Sequence, residues 1–227
     1  VQCCNRRRTR ASRVQALAAG VAKEMLPLLI PRVTPQTDGH RTILALLKSW
    51  DGTMDRDRPE PFLFALWMEK LKGRLLEDDL GELYRQLNGL RSEVLANILA
   101  GDAGWCDDIR TPGGENCAQQ VAGAFSDVMI WLDANKIGAA TDLHWGDFHK
   151  AGFGHILFRN LPGIGELGGR TLDTGGDNAS VNRGSFSPST ARIPFRHNHG
   201  ASMRAVYDPG DLAQSQFALA GGQSGHL

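Results

Sequence analysis

The sequence predicts an α+β fold, with helices first and strands afterwards. Two observations carry that expectation. Apolar residues recur at spacings of three and four up to about residue 136, and after about residue 150 short alternating runs bounded by Gly, Pro and Asp take over. Fourteen of the 27 glycines fall in the last 77 residues, where tight turns between strands need them. With 227 residues, 41% of them hydrophobic and 22% charged, the chain can bury a real core, and its composition excludes wholesale disorder and a collagen-like chain.

Residues 13–30 read as an amphipathic helix through Val14, Leu17, Ala18, Val21, Met25 and Leu28, strained by Pro27 and closed by Pro31 and Pro35. A second helix fits 41–50, with Ile43, Leu44, Leu47 and Trp50 on one side, and Asp51-Gly52 breaks it. Pro59 and Pro61 suit the first turn of a third helix, Phe62 to Leu75, which is apolar on more than one face and therefore deeply packed. Residues 79–100 hold one or two further helices interrupted near Asn88-Gly89, and a loop rich in Gly, Asp and Pro covers 101–116. Residues 117–136 form a long helix through Val121, Ala124, Phe125, Val128 and Leu132. Ser202 to Tyr207 and Gln216 to Leu219 read as strands of a sheet whose partner strands lie elsewhere. The chain thus divides into a basic terminus (1–12), a mainly helical region (13–150) and a β-rich region (151–227).

The 25 basic and 25 acidic residues balance only in sum. Arg6, Arg7, Arg8, Arg10 and Arg13 put five positive charges at the start, leaving 20 basic against 25 acidic residues, a net of −5, for residues 14–227. The Arg run has no apolar stretch behind it of the kind a targeting signal needs. No apolar run approaches the ~18 residues of a membrane span. Neither a nucleic-acid nor a membrane partner is expected.

Cys106 and Cys117 flank a ten-residue Gly/Pro-rich loop, Asp107 to Asn116. A disulfide is favoured over a zinc pair, because the spacing fits no zinc ribbon or finger and no second Cys pair is available. Such a bond favours an oxidising compartment. His144, His149 and His155 cluster, as do His197 and His199, but spacings of five and six among glycines do not suit a helical zinc site. Histidines bonded to backbone in a Trp-rich turn are the simpler reading, and a zinc hydrolase built on His144, His149 and Asp147 the remote one. No Gly-x-Ser-x-Gly elbow occurs. Gly163 to Gly168 satisfies a dinucleotide fingerprint on paper, yet no helical pattern follows it. Gly175-Gly176-Asp177 reads as turn chemistry.

Several segments together resemble the penicillin acylase family of N-terminal-nucleophile amidohydrolases. They are Leu46 to Gly52, Trp105-Cys106-Asp107-Asp108 with Glu115-Asn116-Cys117, and Trp145-Gly146-Asp147-Phe148-His149. Gly175 to Asn182, Gly200 to Asp208 and Gly221 to His226 follow in the same order. The resemblance covers residues 14–227 and is to the C-terminal half of the family's catalytic β chain. It implies that the strands belong to an αββα sandwich of which this chain holds an incomplete fragment.

It also implies hydrolysis of a linear amide, a β-lactam side chain or an N-acyl-homoserine lactone, through an acyl-enzyme. The nucleophile, a Ser exposed by self-cleavage, and the oxyanion donors would lie upstream, so no catalytic residue is expected in this chain. Arg204, Gln223 and Ser224 are the supporting candidates near the acyl site. Arg204 and Asp208, four apart on one predicted strand, would share a face as a charge pair. No cofactor is expected; the resemblance allows a structural calcium in the parent, without identifying ligands here. The implied partners are the remainder of the same precursor (the α chain and the N-terminal part of the β chain) and a small-molecule amide, in the periplasm or outside the cell. The Arg-rich residues 1–12 read as a fragment edge or a frame error, and Val1 with the final Gly225-His226-Leu227 as the ends of a cut. The competing expectation is a non-catalytic interaction or scaffold domain.

Overall fold

A computed structural model describes residues 20–87, 90–101, 103–154, 169–180, 182–186 and 194–219. Helix α1 (Gly20–Leu29) buries Ala22, Met25, Leu26 and Leu29; Pro27 lies inside it and a 3₁₀ turn, Ile30–Arg32, ends it. The predicted start at residue 13 lies outside the described residues. Helix α2 (Asp38–Ser49) begins three residues before the predicted start at residue 41. The reason is a cap: the Thr37 side chain accepts from the His40 amide at 3.1 Å.

Helix α3 (Glu60–Leu80) is the axis of the molecule. Six consecutive residues from Phe62 to Trp67 are buried, so the helix is enclosed on all sides, as its apolar pattern predicts. Gly81, at φ 51°, stops it, and the chain continues as a 3₁₀ turn, Gly81–Gln86. Helix α4 (Ser92–Gly101) turns Leu95, Ile98 and Leu99 inward. Helix α5 (Cys117–Ala134) starts on a capping box between Asn116 and Gln119.

The α3–α5 contact forms the core. Trp67 donates from Nε1 to the Val121 carbonyl at 3.3 Å and packs edge-on against Phe125 at 4.9 Å. Near the C-terminal end of α3, Arg74 grips the Asp127 carboxylate through Nε (2.6 Å) and Nη2 (3.1 Å). Cys106 and Cys117 are joined as a disulfide, with Cα atoms 4.9 Å apart, at the first residue of α5.

Among the described residues the β half forms three antiparallel two-stranded ribbons. β1 (Lys150–Gly154) pairs with β2 (Gly169–Asp173), β3 (Gly184–Ser185) with β4 (His199–Gly200), and β5 (Met203–Val206) with β6 (Gln216–Leu219). The class is α+β as predicted, but no ribbon joins another into a wider sheet among the described residues. The expectation that Arg204 and Asp208 lie on one strand is corrected. β5 ends at Val206, and Asp208 opens a turn in which Asp211 N reaches its carbonyl at 3.2 Å. The Asp-Pro-Gly sequence of residues 208–210 favours that turn over a continued strand.

Helix α6 (Trp145–Phe148), one turn long, couples the halves. Its Trp145 and Gly146 amides donate to Arg58 O and Arg56 O at 2.9 and 2.8 Å, and Gly176 N donates to Met54 O at 2.8 Å. Phe148 stacks on Phe62 of α3 at 4.0 Å, while Phe195 packs against Phe62, Trp145 and Phe186.

Candidate functional site

The cysteines, carboxylates and histidines singled out in the sequence separate into distinct neighbourhoods. His144 and Asp147 face solvent and approach each other at 3.5 Å on one turn, whereas His149 is completely buried. The zinc reading is therefore corrected: the i, i+5 spacing sends His144 and His149 to opposite environments. Among the described residues no group of three His, Cys, Asp or Glu side chains could hold a metal, so none is assigned to the calcium that the resemblance allows. His155, Gln223 and Ser224 lie outside the described residues. Arg204 sits on β5 opposite Ala218.

What the fold does assemble is a column of three parallel rings. His149 stacks on Trp145 at 4.6 Å (12°) and on His197 at 5.0 Å (11°). Its Nδ1 lies 2.7 Å from the Phe195 carbonyl, and since a carbonyl can only accept, Nδ1 carries the proton. Burial pushes this imidazole down to about 4, against the pull of the Phe195 carbonyl, and the neighbouring His197 adds to the depression. The backbone comes close because it lacks side chains. A Cβ at Gly184 would lie 2.6 Å from His149 Nε2, and one at Gly200 2.7 Å from His197 Nε2.

In the predicted Gly175-Gly176-Asp177 turn, Gly176 has φ 89°, and a Cβ there would lie 1.9 Å from Asn182 O. Asp177 follows, its Oδ1 accepting from the Ala179 and Ser180 amides at 3.0 and 2.7 Å. Burial nevertheless pushes its carboxyl upward.

One face of this assembly lines a cleft of about 560 Å³, whose walls include Arg56, Asp173, Thr174, His197 and His199. Thr174 and His197 look like a hydroxyl–imidazole couple at 3.0 Å. The bonding says otherwise. The Thr174 hydroxyl gives its proton to the His149 carbonyl at 2.7 Å and so accepts from His197 Nδ1, which leaves no base on the hydroxyl. The cleft can orient a polar group but has no activated nucleophile among these residues. Ser185 Oγ accepts from Arg183 Nε at 2.9 Å, and a guanidinium donating to it cannot act as its base.

A larger cavity of about 720 Å³ is lined by residues of α3, of 90–95, and of 177–179 and 183–186, with Phe64, Met68, Leu95 and Phe186 among its apolar residues. The buried Lys72 and the half-buried Glu69 line it as a pair at 3.0 Å, with Lys72 over the Tyr84 ring at 5.6 Å. Burial pushes the Glu69 carboxyl up, and burial with the nearby Glu69 and Glu77 pushes the Tyr84 phenol up to about 12.

Sequence reasoning missed Phe195, Thr174 and the pairing of His149 with His197. The available signal was the placement of Gly next to polar turns, Arg183-Gly184 and His199-Gly200, where a close backbone approach was about to be needed.

A model of the penicillin amidase family matches residues 6–227, starting inside the Arg-rich stretch. A curated relative, acyl-homoserine lactone acylase QuiP of Pseudomonas putida, is 26% identical over 223 residues, covering 92% of this chain and 26% of that protein. The chain thus spans about a quarter of the length of the relative it matches.

Proposed function

The chain belongs to the penicillin amidase family, and on that premise we propose that it is the C-terminal part of the catalytic β chain of a linear-amide hydrolase. The family match across residues 6–227 is the observation that carries this. The nucleophile lies upstream, in the remainder of the same precursor: a Ser hydroxyl attacks the amide carbonyl, the amine leaves, and water hydrolyses the acyl-enzyme. Residues described here supply the frame that the upstream segment packs against. The engaged hydroxyls of Thr174 and Ser185 favour that division of labour.

The preferred substrate is an N-acyl-homoserine lactone, which the QuiP match favours over a β-lactam side chain. The β5–β6 ribbon favours a partner of the same precursor. Met203 faces Leu219 and Ala205 faces Phe217 on one side of it, and Met203, Phe217 and Leu219 are exposed. A two-stranded ribbon cannot bury such a face by itself, and further strands of the family's αββα sandwich would. The Cys106–Cys117 bond favours a periplasmic or secreted protein. No helix among the described residues is long and apolar enough to cross a membrane.

The test is hydrolysis of a long-chain N-acyl-homoserine lactone and of a chromogenic phenylacetyl amide by the intact precursor and by residues 1–227 alone. The precursor should release homoserine lactone and the chain alone should release nothing. Turnover by residues 1–227 would overturn the placement of the nucleophile.

A further inference from the structure

His149 is a buried titratable group that the proposed hydrolysis does not use. Its ring has no exposed surface, lies between Trp145 and His197, and spends its one proton on the Phe195 carbonyl. The other nitrogen, Nε2, is buried and has no hydrogen-bond partner among the described residues. It is backed by the Gly184 backbone, so a second N–H formed there would meet neither a protein acceptor nor water.

The charges around it offer no compensation. Asp147 of α6 pairs with His144, Asp173 of β2 with Lys150 at 2.6 Å, and the half-buried Asp177 with two amides. Arg183, ahead of β3, is on Ser185. The titratable group in ring contact is His197, another base, and the remaining ring neighbours are Trp145 and Phe186.

The bond to Phe195 also has a mechanical consequence. Phe195 sits at φ 63°, in the left-handed region that a Phe occupies only at a cost, while its ring is buried. The hydrogen bond from His149 and the aromatic packing hold it there. Just beyond, β4 is tied to β3 across only two residue pairs, and Asn198 N donates to Ser185 O at 2.9 Å.

We propose that the Trp145–His149–His197 column is an acid-released latch: a proton taken from solvent at His149 Nε2 drives the ring out of the stack, and Phe195 with β4 leaves the helical body. Opening would release one wall of the 560 Å³ cleft, because His197 and His199 line it. The direction of the imidazole shift agrees in sign. The ring titrates at 6.5 when open and is pushed down to about 4 when closed, so the closed form loses stability as pH falls from 6.5 towards 4. Between pH 7.5 and 4.5 the opening equilibrium rises on the order of 100-fold.

Hydrogen exchange of the intact protein at the two pH values, corrected for intrinsic rates, tests this without reference to the hydrolase reading. The amides of residues 195–200, Asn198 above all, should lose protection at pH 4.5 while α3 and α5 keep theirs. His149→Asn, whose amide nitrogen takes the place of Nδ1 and still donates to the Phe195 carbonyl but cannot titrate, should abolish the pH difference. Equal protection at both pH values, a loss spread evenly over α3 and α5, or an acid loss that persists in H149N would each overturn the latch. Should H149N fail to fold, imidazole nitrogen shifts of the unmodified protein decide: a His149 midpoint at or above 6, with residues 195–200 still protected, overturns it.

Discussion

Removing the Cys106–Cys117 bond should loosen one identifiable piece of the molecule. The bond closes a loop with a sequence separation of 11, and for that length the loop-closure entropy lost from the open chain is worth about 3 kcal/mol. At 1.36 kcal/mol per decade that is an opening equilibrium raised on the order of 100-fold. The rest of the loop does not depend on the bond. Glu115 accepts from Asp108 N at 3.1 Å, Asp78 accepts from Ile109 N at 2.9 Å, and the Asn116–Gln119 capping box remains. The loop should therefore stay folded and open more often. The assay is hydrogen exchange on the protein with both cysteines changed to Ala, and on the unmodified protein after reduction. Ala is preferred to Ser because Cys106 is completely buried and a hydroxyl there would want a partner. Amides of residues 107–120 should exchange on the order of 100-fold faster in both samples, with β1 and β2 unchanged. Unchanged exchange in 107–120 would refute the entropic reasoning.

Four further outcomes are expected. Gly184→Ala places a Cβ 2.6 Å from His149 Nε2 and 3.2 Å from Gly175 O, and should cost roughly 1–3 kcal/mol in denaturant melts. Gly81→Ala, at φ 51° but in open space, should cost only about 1 kcal/mol, and equal losses at both positions would contradict the close-approach explanation. Phe62→Ala removes a fully buried ring shared by Trp131, Phe148 and Phe195 and should cost about 3–5 kcal/mol, with near-ultraviolet dichroism lost at both Trp-containing helices it touches. In a Tyr207→Phe background, absorbance titration should show Tyr84 half-ionised near 12, well above its ordinary 10.0; a midpoint near 10 would show that the phenol is not buried beside Glu69.

The helical half was legible because its signals are local. The stripe of Ile43, Leu44 and Leu47 and the unbroken apolar run of α3 state which faces must leave water, and the structure buries those faces. Element starts were less legible. Thr37 and Glu60 lie outside the apolar stripes, and a cap or a first-turn carboxylate is a polar residue that periodicity ignores. In the β half, Met203 to Val206 and Gln216 to Leu219 alternate enough to be read as strands, but the end of β5 was set by Pro209 and Gly210, not by the pattern.

The ring column could not be read in advance. Trp145 and His149 are four apart on one turn, yet His197 reaches them from 48 positions away, and a single His carries no local sign of what it will stack on. By itself the sequence determined the class, the core faces and the family, since these follow from periodicity and from segments kept in order. Only the tertiary structure decided which histidine is buried and uncharged and which hydroxyls are already engaged. Those outcomes depend on desolvation and on partners brought from distant parts of the chain, and no window of neighbouring residues contains them.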